Sequence, residues 1–237
     1  MSLIAYHPPT MPAFDLLYGD DQLLVFNKPS GLLTVPGRAI EHRDSLALRV
    51  QRIWPEARIV HRLDMATSGL IVMAIGADAQ RKLNRQFETR ATAKTYHALI
   101  WGEPNTEQGT VDLPLRCDWP NRPKQMVDVE AGKPSQTDWR VLAKHGNYSE
   151  IELTPITGRS HQLRVHMLSQ GHPILGDRLY AHDQALAMAS RLQLHASTLS
   201  LYHPLTNEWL TFSAPCPFLG KPLAKVVDKQ IGFIANN

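Results

Sequence analysis

The unbroken apolar run Leu70-Ile71-Val72-Met73-Ala74-Ile75, bounded by turn-forming residues, constrains the fold more than any other segment. Six consecutive apolar residues between turn signals read as a buried strand. Directly before it lies His61-Arg62-Leu63-Asp64-Met65-Ala66-Thr67-Ser68-Gly69, a tight polar turn carrying one carboxylate. A basic residue two positions before Asp64 and a Thr-Ser-Gly after it suggest a carboxylate held in place. Catalytic groups concentrate on loops carried by a rigid scaffold, so Asp64 is the first candidate for chemistry. The plainer reading is a turn Asp that only accepts hydrogen bonds.

Around this strand the chain reads as one α+β domain without repeats or linkers. Residues 1–14 are an extended lead-in, because Pro8, Pro9 and Pro12 oppose helix. Leu23 to Asn27 reads as a strand followed by a Lys28-Pro29-Ser30-Gly31 turn. Asp44 and Ser45 open a helix with Leu46, Val50 and Ile53 on one face. Ala79, Leu83 and Phe87 recur at helical spacing, with Arg81, Lys82, Arg85 and Arg90 as a basic outer face. Tyr96 to Trp101 and Ile151 to Thr154 are short strands, and the Pro-rich, polar stretch 112–135 forms hairpins or long loops. Ser160 opens a helix to about Gln170, capped by Gly171. Leu192 to Leu201 pairs with Trp209 to Phe212, and the last twenty residues are peripheral. Strands and helices do not alternate regularly, which argues against a doubly wound sheet.

Composition narrows the chemistry mostly by exclusion. Two cysteines, Cys117 and Cys216, stand far apart, so neither a disulfide framework nor a structural zinc site is expected, and a reducing cytoplasm fits. The first residues lack the basic flank and apolar core of a signal peptide. No apolar stretch nears the roughly 18 residues a membrane span needs. Neither a phosphate-binding glycine loop, a nucleophile elbow nor a metalloprotease motif is present. No cofactor and no metal are therefore expected. The net charge of +3 permits a polyanionic partner without demanding one.

The candidate partners of Asp64 each carry two readings. Gly158 to His166 holds two Arg and two His, and Leu163 and Met167 share a helical face with Arg164 on an adjoining side. A cation beside a carboxylate favours its charged form, so an inward Arg164 would partner Asp64. An outward Arg164 would merely be solvated. Tyr96 is either half-buried packing or a ring that stacks on a base. Arg62 is either a surface charge or a side chain that fills the gap an extruded base leaves. Arg81, Lys82, Arg85, Arg122 and Lys124 are soluble surface or phosphate contacts. A non-catalytic RNA-binding module and a small-molecule hydrolase with a lone Asp remain as competing classes.

Five separated blocks resemble those of RluA-type pseudouridine synthases over roughly residues 15–215. They are Asn27-Lys28-Pro29-Ser30-Gly31-Leu32, His61 to Gly69, Lys94-Thr95-Tyr96-His97-Ala98, Ile156 to His166, and His172-Pro173-Ile174-Leu175-Gly176-Asp177. Asp118 to Gln125 is similar to a segment of the subgroup that gives the family its name. The resemblance implies a catalytic domain over 15–217, with a tail over 218–237 and no S4-type RNA-binding domain. It implies a mixed, largely antiparallel sheet with flanking helices and a central catalytic cleft. It further implies Asp64 as the catalytic residue, supported by Arg62, Tyr96, Leu163 and Arg164. The implied partner is structured RNA, namely stem-loops of large-subunit (23S) ribosomal RNA and the anticodon stem-loop of tRNA, handled by a monomer.

Overall fold

The structure, a computed structural model, describes residues 6–220. Residues 1–5 of the expected lead-in and 221–237 of the expected tail lie outside the described residues. Strands β1 (Leu16–Gly19) and β2 (Leu23–Lys28) come first, then helix α1 (Leu46–Gln51) and strand β3 (Ala57–Ile59). Strand β4 (Ser68–Ile75) runs into helix α2 (Gly76–Glu88) and strand β5 (Ala93–Trp101). Strands β6 (Gln108–Asp112), β7 (Leu115–Cys117), β8 (Gln125–Val127), β9 (Gln136–Lys144) and β10 (Tyr148–Pro155) follow. Helices α3 (Gln162–Ser169) and α4 (Asp183–Ala187) and strands β11 (Leu194–Tyr202) and β12 (Trp209–Ser213) complete the described chain.

One ten-stranded sheet organises the molecule, in the order β1-β2-β4-β11-β5-β10-β9-β6, with β3 beside β4 and β12 beside β11. Every pair is antiparallel except β4–β11, which is parallel. The α+β, mixed and largely antiparallel class is thus observed. The apolar run from Leu70 to Ile75 lies in β4, with seven of that strand's eight residues buried. Two apolar clusters flank the parallel pair. One gathers Leu23–Phe26, Leu70–Ala74, Ala79 and Leu83; the other gathers Ala98, Ile100, Ile151, Leu153, Leu163 and Met167. Tyr96 packs against both. Removing each of the larger apolar side chains, Leu, Ile, Val, Met or Phe, from water is worth about 1.5–3 kcal/mol, so burial on these strands holds the seam between β4 and β11.

The structure departs from the sequence expectations in three places. Helix α1 starts where expected, with the Ser45 hydroxyl accepting from the Leu48 N–H, but it ends at Gln51. Ile53 therefore lies beyond the helix and is 60% exposed instead of sharing the buried face. Strand β5 starts at Ala93, three residues before Tyr96, because Ala93–Thr95 pair with Thr198–Ser200 of β11. Helix α3 starts at Gln162 and not at Ser160. His161 adopts a left-handed backbone (φ 55°), and the Gln162 side chain accepts from the Arg159 N–H and the Thr157 hydroxyl, so residues 158–161 form a turn. Gly171, with φ +82°, does end the helix, as its left-handed cap position demands. The 112–135 stretch contains the small β7–β8 sheet. Phe218, first residue of the expected tail, is buried against Leu99, Leu175 and Ala185.

Candidate active site

Strand register brings the site together. Gly69 of β4 faces Ala196 of β11, and Ala196 faces Tyr96 of β5, so three neighbouring strands carry the Asp64 turn to the Tyr96 ring. At Gly69 a side chain would collide with the Ala196 backbone, and its φ of +109° belongs to glycine. The turn itself is tied down by the last residue of β2 and the segment after it. Lys28 Nζ donates to the carbonyls of Pro29, Leu32 and Met65, at 2.9, 2.7 and 3.2 Å. The Ser30 hydroxyl donates to the Ala66 carbonyl, the Gly31 N–H to Met65, and the Thr34 hydroxyl to Leu63. Three N–H groups on three carbonyls satisfy an ammonium, although burial pushes Lys28 down to about 7 against the opposing pull of Asp64.

Arg164 points inward. Its Nε and Nη2 donate to the two oxygens of Asp177, both at 2.7 Å, and its Nη1 donates to Asp64 Oδ2 at 3.3 Å. Arg164 and Asp177 are 4% and 1% exposed, so the guanidinium is a buried group clamped from behind and presented to Asp64 in front. Burial disfavours its charge, but the Asp177 hydrogen bonds and the charges of Asp177 and Asp64 outweigh that and raise its pKa. His161 also approaches Asp64, with Nε2 3.9 Å from the same Oδ2. Burial, then the Asp64 charge, holds the Tyr96 phenol well above its ordinary range, so it stays protonated.

These groups line a cleft of about 1880 Å³. Asp64, Arg62, Tyr96, Leu163 and Arg164 all face it, and so do Arg122 and Lys124 from the connection between β7 and β8. Arg62 is exposed there and has no ion-pair partner among the described residues. Arg81, Lys82 and Arg85 do not line it. They sit on the outer face of α2, where Arg81 pairs with Asp78 and Lys82 donates to the Pro204 carbonyl. The position of α2 at the back of the β3–β4 side explains this: its Ala79 and Leu83 are buried, so the opposite face looks away from the cleft. Arg90, grouped with that basic face from sequence but lying just past the end of α2, does line it, together with Lys94, Arg159, Arg178 and Arg191, which were not singled out as contacts. Nine Arg or Lys thus face three carboxylates across the cleft, although the whole chain carries only +3.

Sequence reasoning missed Lys28, Thr34, His161, Asp177 and Tyr180. Lys28, His161 and Asp177 lie inside recognised blocks, but only the fold shows what they touch. Among the described residues no group of three or more His, Cys, Asp or Glu is placed to hold a metal ion. Among the same residues, no helix is long and apolar enough to cross a membrane.

Comparison with known proteins fits this arrangement. Residues 22–169 match the family model described as RNA pseudouridylate synthase. A relative from Escherichia coli (strain K12), named dual-specificity RNA pseudouridine synthase RluA, is 56% identical, covering 92% of this chain and all of its own. The protein of the same name from Pasteurella multocida is 53% identical with the same coverage. Human RNA pseudouridylate synthase domain containing 1 has a solved structure that superposes with a TM-score of 0.75 at 30% identity, covering 90% of this chain and 87% of that one. The chain belongs to the RNA pseudouridylate synthase family. It is an isomerase that converts uridine to pseudouridine in RNA.

Proposed function

We propose that the enzyme acts on uridines extruded from RNA stem-loops, with dual specificity for large-subunit ribosomal RNA and the tRNA anticodon stem-loop. The dual-specificity names of relatives aligned over their full length support this reading. The observation that carries the chemistry is the Asp64–Arg164 ion pair at the floor of a cationic cleft, beside Tyr96 and Leu163. The reaction breaks the N1–C1′ bond, turns the uracil and joins C5 to C1′, moving a proton from C5 to N1 overall. A stacked base cannot turn, so the uridine must leave the stack, at a cost of about a few kcal/mol that is least in loops. Asp64 is the catalytic group at the sugar or base. Arg164 orients Asp64, the Tyr96 ring stacks on the uracil, and Leu163 forms part of the pocket wall. Arg62 fills the place the base vacates. Arg122 and Lys124 meet phosphates at the cleft mouth, and such contacts give affinity rather than sequence readout. The enzyme works as a monomer in the cytoplasm, where the two free cysteines stay reduced.

Asp64→Asn tests the assignment. The variant should fold, bind RNA like the wild type and form no pseudouridine in a tritium-release assay; wild-type turnover would remove Asp64 from its role. A second reading within the family, action at a different ribosomal RNA site, is separated by mapping pseudouridine in total RNA from cells lacking the protein. Loss at both a ribosomal and a tRNA loop position supports dual specificity, and loss at one alone refutes it.

A further inference from the structure

Behind Asp64 lies a short chain of polar groups that the proposed chemistry leaves unused. The Gln125 N–H, on β8, donates to the Tyr180 hydroxyl at 2.7 Å, and that hydroxyl lies 2.6 Å from His161 Nδ1. With its oxygen already accepting from Gln125, the phenol has its own proton free to donate, and His161 Nδ1 is the acceptor in reach. Burial raises the Tyr180 phenol to about 12, so that proton is present throughout the physiological range. Donation from Tyr180 makes Nδ1 the acceptor nitrogen and places the ring proton of neutral His161 on Nε2, which faces Asp64 Oδ2. Burial keeps the imidazole below its ordinary pKa, with Asp64 and Asp177 opposing and Arg164 reinforcing the shift. The Arg164 guanidinium, 4.9 Å above the Tyr180 ring, closes the same cluster.

We propose that His161, fixed as its Nε2–H tautomer by Tyr180, is a positioning residue that holds Asp64 Oδ2 together with Arg164 and so leaves Oδ1 turned to the substrate. This rests on the reading of Asp64 as the reacting group. Both neighbours approach the same oxygen, Arg164 Nη1 at 3.3 Å and His161 Nε2 at 3.9 Å. The longer contact is electrostatic as it stands, and hydrogen bonds between catalytic groups are often long in a free enzyme. The left-handed backbone of His161 aims the ring: φ of 55° projects it out of the helix start and into the cleft wall. Because Gln125, the first residue of β8, follows Lys124 directly and both line the cleft, the hydroxyl that sets the tautomer is itself held by an element lining the RNA cleft.

The test compares His161→Gln with His161→Asn. Gln reproduces the Nε2 position that faces Asp64, whereas Asn reproduces only the Nδ1 position that faces Tyr180. A left-handed backbone suits Asn better than Gln, so a purely structural role favours Asn. Single-turnover rates at saturating RNA should instead fall about tenfold in His161→Asn, and about threefold or less in His161→Gln. RNA affinity should stay within about twofold in both, since neither change touches a phosphate contact. Tyr180→Phe keeps the ring but loses the proton that sets the tautomer, and should slow the single turnover like His161→Asn. An Asn variant as fast as wild type, or faster than Gln, overturns the proposal. If His161→Asn does not fold, an unchanged rate in Tyr180→Phe overturns it equally. Asp64→Asn, assayed in parallel, separates the two claims: if it is active, the reading of Asp64 fails, and if it is inactive beside a fast His161→Asn, only the positioning role fails.

Discussion

Arg164 shows how much at this site depends on where one helical side chain points. Spacing along α3 leaves its direction open, because a helix with one polar stripe would turn an Arg to solvent. In the structure six consecutive residues of α3, Gln162 to Met167, are buried, so Arg164 has no outward option. Asp177, thirteen positions on, makes that tolerable by taking two of its donors. Breaking a buried pair by deleting one partner leaves an uncompensated charge and costs about 3–5 kcal/mol. Asp177→Ala should therefore lower the urea-derived unfolding free energy by an amount in that range, and Asp177→Asn by less, since the amide still accepts from Arg164. Activity should fall in both, because Arg164 is released from its aim at Asp64. An Asp177→Ala variant with wild-type stability would mean that water or another acceptor replaces the carboxylate.

The elements that sequence pattern reveals are the ones with the strongest burial asymmetry. β4 is legible as an apolar run, β2 and α2 as patterned segments, and the β11–β12 pair from its alternation. The short strands β1 and β6, at the two edges of the sheet, are not, because exposed edge strands carry little apolar signal; all four residues of β1 are exposed. Neither can spacing show that Gly69 lies against Ala196, which depends on a parallel pair between strands more than a hundred residues apart. Close approach at that pair yields a sharp expectation for the element. Gly69→Ala meets two penalties, a left-handed φ of +109° and a collision of its Cβ with the Ala196 backbone. The seam must open to accept it, so the variant should lose about 3 kcal/mol or more, a thermal midpoint lower by several degrees. Ser68→Ala, one residue earlier, loses only hydroxyl hydrogen bonds with the Leu194 carbonyl, His195 and Arg191 and should cost about 1–2 kcal/mol. Equal midpoints for the two variants in differential scanning calorimetry would contradict the close approach.

At the scale of the whole molecule, charge is sorted by face. The cleft gathers cations, while the α2 face pairs or ties back some of its own, so RNA binding should respond to one set and not the other. Arg122→Ala with Lys124→Ala should reduce the salt slope of RNA binding by about 1 for each cation removed from a phosphate, whereas Arg81→Ala with Arg85→Ala should leave it unchanged. Equal slopes in filter binding across salt would place the RNA elsewhere. The interior is sorted too, and its histidines set the acid limit of the fold. Burial pushes His61, His97, His161, His166 and His195 downward, His195 to about 4, between the Ser68 hydroxyl and the Ala214 carbonyl. Unfolded histidine takes up a proton near pH 6.5, so between about 6.5 and 4 the unfolded chain binds a proton that native His195 refuses. The stability this group contributes is therefore fully present above pH 6.5 and is lost as the pH falls. The slope from one such group approaches about 1.4 kcal/mol per pH unit in that window. His195→Gln removes the titration while keeping an amide for Ser68 and Ala214. Unfolding free energies from urea titrations at pH 7, 6, 5 and 4.5 should converge on acidification, because only the wild type loses this contribution. A wild-type-minus-variant difference that stays constant across those pH values would show that His195 is protonated in the folded enzyme as readily as in the unfolded chain.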